Sequence, residues 1–111
     1  MIRHLVLMKM RADVTDADRN SLWADLMALR SKVNGFLNGA FGPNVSPEAF
    51  DRGYTHVFTM DFETSKARDA YLDHPDHKVA GGRLVAMLTG GTDGLLVLDF
   101  EVQRSDSVRL R

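Results

Sequence analysis

The chain opens on alternation. Ile2, His4, Val6, Met8 and Met10 fall on one side of an extended backbone, and Leu5, Leu7 and Lys9 on the other, which predicts a strand over residues 2–10. The period then changes. Leu22, Leu26, Leu29 and Val33 recur at the four-three-four spacing of a buried helical stripe, with Trp23 beside it. Thr15 is placed to cap this helix, Asp18 stands at its third position, and Asp16 suits the positive end of its dipole. Asn34-Gly35 supplies a left-handed stop. Phe36 to Phe41 reads as a second strand, and Pro43 to Gly53 as a loop in which Ser46-Pro47-Glu48 suggests a single helical turn. From Tyr54 to Phe62 alternation returns, with His56, Phe58, Met60 and Phe62 facing one way and Thr55, Val57, Thr59 and Asp61 the other. Thr64 caps a short helix to Asp73 that carries Ala67 and Tyr71 on one side. His74-Pro75 breaks it and starts another helix, which Thr89-Gly90-Gly91 ends. The last strand runs from Gly94 to Gln103.

Strand, helix, strand, strand, helix, strand is the order of an α+β, ferredoxin-like protomer with a four-stranded antiparallel sheet and helices on one face. A second face exposed to water would alternate to polar residues. Here it would carry Leu5, Leu7, Val57, Leu95 and Val97, which predicts a partner, most simply a second copy on a two-fold axis, against a monomer with an unusually apolar sheet.

Composition narrows the chemistry. A chain of 111 residues and 12.4 kDa makes one domain, read as residues 1–103 with a tail over 104–111 that has no clear period. The formal charge of −1 lacks the basic excess of a sequence-independent nucleic-acid binder. The absence of cysteine removes disulfides, thiolate catalysis and Cys-zinc sites. Neither a signal peptide nor an apolar run of about 20 residues is seen, so no membrane partner is expected and the expected compartment is the cytoplasm.

What remains is histidine, tyrosine and carboxylate. His4 and His56 stand on the first and third strands, neighbours in the ferredoxin-like order. His77 belongs to an apolar stripe with Gly81, Leu84 and Leu88, so it points inward, as does Tyr71. Convergence of His4, His56, Tyr71 and His77 between helices and sheet is therefore expected. One inward histidine is more often a satisfied core residue, but three histidines and a tyrosine from separate elements are harder to assign to packing alone. His74, beside Pro75, reads as a surface or capping residue. His4, His56 and His77 offer three imidazoles to a zinc ion, but no carboxylate or fourth ligand is clearly placed, so neither metal nor other cofactor is expected.

The segments Arg3-His4-Leu5-Val6-Leu7-Met8-Lys9, Gly53-Tyr54-Thr55-His56-Val57, Tyr71-Leu72-Asp73-His74-Pro75-Asp76-His77 and Leu95-Leu96-Val97-Leu98-Asp99-Phe100 resemble the stress-responsive α/β-barrel (Dabb) family. The resemblance implies a homodimer whose two sheets close into a dimeric α/β barrel. One plant member is a cofactor-independent polyketide cyclase, and its functional positions match His4, His56, Tyr71 and His77. The resemblance thus implies His77 as base and Tyr71 as its acid–base partner on a β-carbonyl or aromatic compound, with His4 and His56 orienting the substrate. Phe58 and Trp23, with Met8, are expected around the pocket, as substrate-binding walls or as plugs. The related superfamily also hosts cofactor-free monooxygenases. The alternative to a cyclase or lyase is a non-catalytic, stress-associated structural or ligand-binding dimer.

Overall fold

The computed structural model describes residues 1–103; the tail expected over 104–111 lies outside them. Strands β1 (Ile2–Met8), β2 (Phe36–Pro43), β3 (His56–Phe62) and β4 (Leu95–Glu101) form one antiparallel sheet in the order β2-β3-β1-β4. Helices α1 (Asp16–Met27), α2 (Ser65–Asp73) and α3 (Pro75–Ala86) complete the ferredoxin-like order. Among the described residues no helix is long and apolar enough to cross a membrane.

Local chemistry explains the boundaries. The Thr15 hydroxyl accepts from the Asp18 backbone N–H while the Asp18 carboxylate accepts from the Thr15 N–H, a complete capping box at the start of α1. The helix then tightens into a 3₁₀ turn over Ala28–Ser31, which carries Leu29 inward, so the regular helix ends earlier than the apolar stripe. Gly35 turns the chain at φ +88°, where a Cβ would also stand 2.8 Å from the Ala67 Cβ. His74 closes α2 and opens α3, its Nδ1 accepting from the Asp76 N–H, with Pro75 as the first helical residue.

Two expectations change in the loops. The strand expected from Tyr54 starts at His56, because Thr55 is drawn toward β1, its hydroxyl accepting from the Met10 N–H and donating to the Met8 carbonyl. Residues 47–49 form bends and not a helical turn. There the Glu48 N–H goes to the Ser46 hydroxyl and the Ser46 N–H to the Asn44 side chain, so side-chain oxygens take donors that a turn of helix would use.

The largest correction concerns the phase of β4. Leu95, Val97 and Asp99 pair with Met8, Val6 and His4, so they lie on the helix-covered face. Leu95 and Val97 therefore do not belong to the open face. Leu96, Leu98 and Phe100 pair with Leu7, Leu5 and Arg3 and take their place there. The physical reason is that Leu95-Leu96-Val97-Leu98 is apolar at every position. Such a run carries no alternation, and its phase is set by pairing with β1.

The helix-side core is closed, with Met8, Leu22, Leu29, Met60, Phe62 and Tyr71 wholly buried. The open face keeps Leu96, Leu98 and Phe100 at 38%, 54% and 45% exposure, beside Leu5, Leu7 and Val57. Its charged feature is the cross-strand pair of Arg3 and Asp61, joined by hydrogen bonds of 2.8 and 3.1 Å, with Thr59 and Asn38 on the same face.

Candidate functional site

A cavity of about 720 Å³ opens between β1, β4 and the α2–α3 helices. Val6, Phe58, Leu84, Leu95 and Val97 give it apolar walls, and the polar groups on it are His4, Asp99, His77, Arg68, Asp69 and Lys78.

His77 stands in the first turn of α3 because Pro75 starts that helix. Its Nδ1 lies 3.1 Å from the Leu72 carbonyl. A carbonyl only accepts, so Nδ1 carries the proton and Nε2 is the basic nitrogen. Burial pushes the pKa of this ring down from 6.5; the Leu72 hydrogen bond works the other way without reversing it. The imidazole is therefore neutral at pH 7 and able to accept a proton.

Tyr71 reaches the same region from α2. Its ring centroid is 4.5 Å from that of His77 and 6.1 Å from that of His4, and Phe36 and Phe62 pack on its other sides. The hydroxyl is the one buried side-chain polar atom without a hydrogen-bond partner among the described residues. Burial raises its pKa, so it stays protonated and can only be used as a neutral hydrogen-bonding group. Leaving such a group unpartnered costs about 1–3 kcal/mol.

His4 is held from behind. Its Nδ1 donates to Asp99 Oδ1 at 2.7 Å, while Asp99 Oδ2 accepts from Arg68 at 2.7 Å and Arg68 also donates to Asp69 at 2.9 Å. Burial would raise the Asp99 carboxyl, but hydrogen bonds from Arg68 and then His4 more than offset it, leaving the pKa below the usual carboxylate value. The ionised Asp99 fixes the orientation of the His4 ring through the Nδ1–H hydrogen bond, which leaves Nε2 as the other ring nitrogen. Asp99 and Arg68 escape a sequence reading that misplaces β4 by one residue. The signal is Asp99 itself, a lone acid inside an apolar strand, on the parity of Leu95 and Val97.

Of the expected residues, the structure brings together His4, Phe58, Tyr71 and His77. It does not bring His56 to them. His56 pairs with Met8 and His4 with Met60, an offset of four positions, or about 13 Å along the strands. The His56 Nδ1 meets the Thr55 hydroxyl at 2.9 Å near the start of α1, and burial, then Arg19, lowers its pKa. Trp23 also stands away from the cavity. It stacks on Phe41 at 4.7 Å and meets Phe58 edge-on at 5.3 Å, so it backs the Phe58 wall. Neither ring plugs the space. Among the described residues no three His, Asp or Glu side chains are grouped to hold a metal ion.

One wall is notably bare. Gly81 lines the cavity and Gly82 follows it, both inside α3. Each interior glycine destabilises a helix by about 1 kcal/mol relative to alanine. A Cβ at either position would meet nothing within 4 Å, so packing gives no reason for them.

A ferredoxin-like domain with a cavity between sheet and helices is thus the class of protein the geometry defines. Residues 2–102 match the family described as Stress responsive A/B Barrel Domain, and the chain belongs to that family. It is 28% identical over 103 residues to a stress-response A/B barrel domain-containing protein, HS1, of Arabidopsis thaliana, covering 90% of this chain and 88% of that one. It is 24% identical over 76 residues to olivetolic acid cyclase of Cannabis sativa, covering 68% of this chain and 75% of the cyclase. Among solved structures, a dimeric ferredoxin-like protein of unknown function from Jannaschia sp. CCS1 superposes with a TM-score of 0.83 at 35% identity, covering 91% of this chain and 98% of that one.

Proposed function

We propose that the protein is a homodimer in which the open sheet faces of two copies close a dimeric α/β barrel, and that each cavity takes a small β-carbonyl or aromatic compound. On it His77 and Tyr71 act as a cofactor-free acid–base pair of the cyclase or lyase kind. The dimer is supported by the apolar open face and by the relative from Jannaschia, which is described as dimeric. The chemistry is supported by similarity to a cyclase and above all by one observation, the unpartnered Tyr71 hydroxyl beside a neutral His77.

In this reading His77 Nε2 removes a proton from the carbon between two carbonyls, and the C–H electron pair passes into an enolate. The Tyr71 O–H donates to the enolate oxygen as its charge develops. His4, oriented by Asp99, hydrogen-bonds the substrate through Nε2. The enolate carbon then adds to a further carbonyl of the substrate, whose oxygen takes up the proton held by His77, or the carbon takes that proton back.

Deuterium uptake at the central carbon of 1-phenylbutane-1,3-dione, followed by NMR in D2O, tests this. The protein is expected to accelerate uptake, His77→Ala to lower the rate about 10²–10⁴-fold, and Tyr71→Phe about 10²–10³-fold. Uptake no faster than in buffer, or unchanged in both variants, would overturn the acid–base reading. One observation favours a second reading, a ligand-binding dimer without catalysis: Tyr71 is wholly buried and does not itself line the cavity. Binding of the diketone without exchange is the outcome that reading expects.

A further inference from the structure

We infer that Gly81 is the size-selecting position of the cavity, and that it admits a β-dicarbonyl compound bearing a ring, which lies flat against α3 beside His77. The inference rests on the reading above for the reacting group and adds the shape of what surrounds it. His77 and Gly81 are four residues apart on α3, which places them on one helical face a single turn apart. Both line the same cavity. The missing side chain therefore leaves its space directly next to the imidazole.

Packing does not require that glycine. Its backbone is ordinary right-handed helix, and its Cβ would touch nothing within 4 Å. Where glycine is structurally demanded in this chain, the contrast is plain: a Cβ at Gly94 would stand 2.5 Å from the Thr89 carbonyl. Gly82 is the internal control. It has the same helical setting and the same empty surroundings, but it is exposed and does not line the cavity. The walls opposite, Val6, Phe58 and Val97, present an apolar and partly aromatic surface that suits the face of a ring and gives nothing to a hydrated chain.

The test compares 1-phenylbutane-1,3-dione with pentane-2,4-dione, which share the reacting group and differ by a phenyl ring in place of a methyl. Gly81→Ala, Gly81→Leu and Gly82→Leu are measured for thermal midpoint, for calorimetric binding of both compounds, and for deuterium uptake. Gly81→Ala is expected to raise the midpoint by about 4–8 °C through helix propensity alone, which shows that the site accepts a side chain without unfolding. Gly81→Leu is expected to lower the affinity ratio of phenyl to methyl compound at least tenfold, the scale at which pocket sterics discriminate. Gly82→Leu is expected to leave that ratio unchanged. An unaltered ratio in Gly81→Leu, or binding of neither compound by the parent protein, overturns the inference. Binding that responds to Gly81→Leu, with deuterium uptake no faster than in buffer, upholds it and fails the acid–base reading alone.

Discussion

Leu5 and Val6 are neighbours in the chain and similarly apolar, yet they belong to different problems. Val6 lies under the helices at 3% exposure, with Met8 and Phe58 in a closed core. Leu5 points to the other face, where Leu7, Leu96, Leu98 and Phe100 have no layer of the described residues over them. On the helix side His4, Asp99 and Arg68 answer one another beside the cavity, and the Tyr71 hydroxyl answers nothing. The open side has its polar pair, Arg3 and Asp61, flanked by apolar surface. The difference teaches that apolar residues on this sheet do two jobs. One face folds the chain and shapes a cavity; the other has the composition of a surface meant to be covered.

Phe62→Ala breaks the closed side most severely. The ring is wholly buried against Phe36 and Tyr71, so urea unfolding is expected to show a loss of about 3–5 kcal/mol. The matching change on the other face, Leu98→Glu, leaves the protomer folded but puts a charge where a second sheet would pack. Sedimentation is expected to show the parent at twice the 12.4 kDa chain mass and the variant at the chain mass, with association weakened on the order of a hundredfold or more. A parent already at the chain mass would erase the distinction between the two faces.

Tyr71→Phe sharpens the comparison from inside the cluster. Its hydroxyl has no partner, so its removal is expected to leave stability unchanged or raise it by about 1 kcal/mol, although the residue is buried. A clear loss in urea unfolding would mean that the hydroxyl is already satisfied. The smallest effect is a pH slope. His77 and His56 both have pKa values below 6.5 in the fold, chiefly through burial. Below that value the unfolded chain binds more protons than the folded one, so stability is full above about pH 6.5 and falls as pH drops toward the folded values. His77→Gln is expected to flatten that slope without abolishing it, since His56 remains; this is read by unfolding free energy between pH 7 and 5.

Much of the fold is legible because local chemistry and pattern agree. Thr15 and Asp18 announce the start of α1, His74-Pro75 announces the break between α2 and α3, and alternation in β1 and β3 assigns their faces. The pattern fails where it has nothing to report. Leu95 to Leu98 are apolar on both parities, so only pairing with Val6 and Leu7 reveals which ones turn inward, and the same slip hides Asp99 behind His4. For the site, parity puts His56 and His4 on the same face correctly. It says nothing of distance along the strands, and the register sets the two four positions apart. Trp23 is inward as its spacing suggests, but whether it lines or backs the cavity depends on Phe41 and Phe58, which no spacing within α1 can show.

In the proposed reaction the Tyr71 hydroxyl and His77 act on one ligand in the cavity. A crystal structure of the protein soaked with 1-phenylbutane-1,3-dione tests it most directly. The expected result is a carbonyl oxygen within hydrogen-bond distance of the Tyr71 hydroxyl, the central carbon about 3–3.5 Å from His77 Nε2, and the phenyl ring over Gly81. A diketone bound in the cavity with the Tyr71 hydroxyl still unpartnered, or bound only elsewhere, would contradict it.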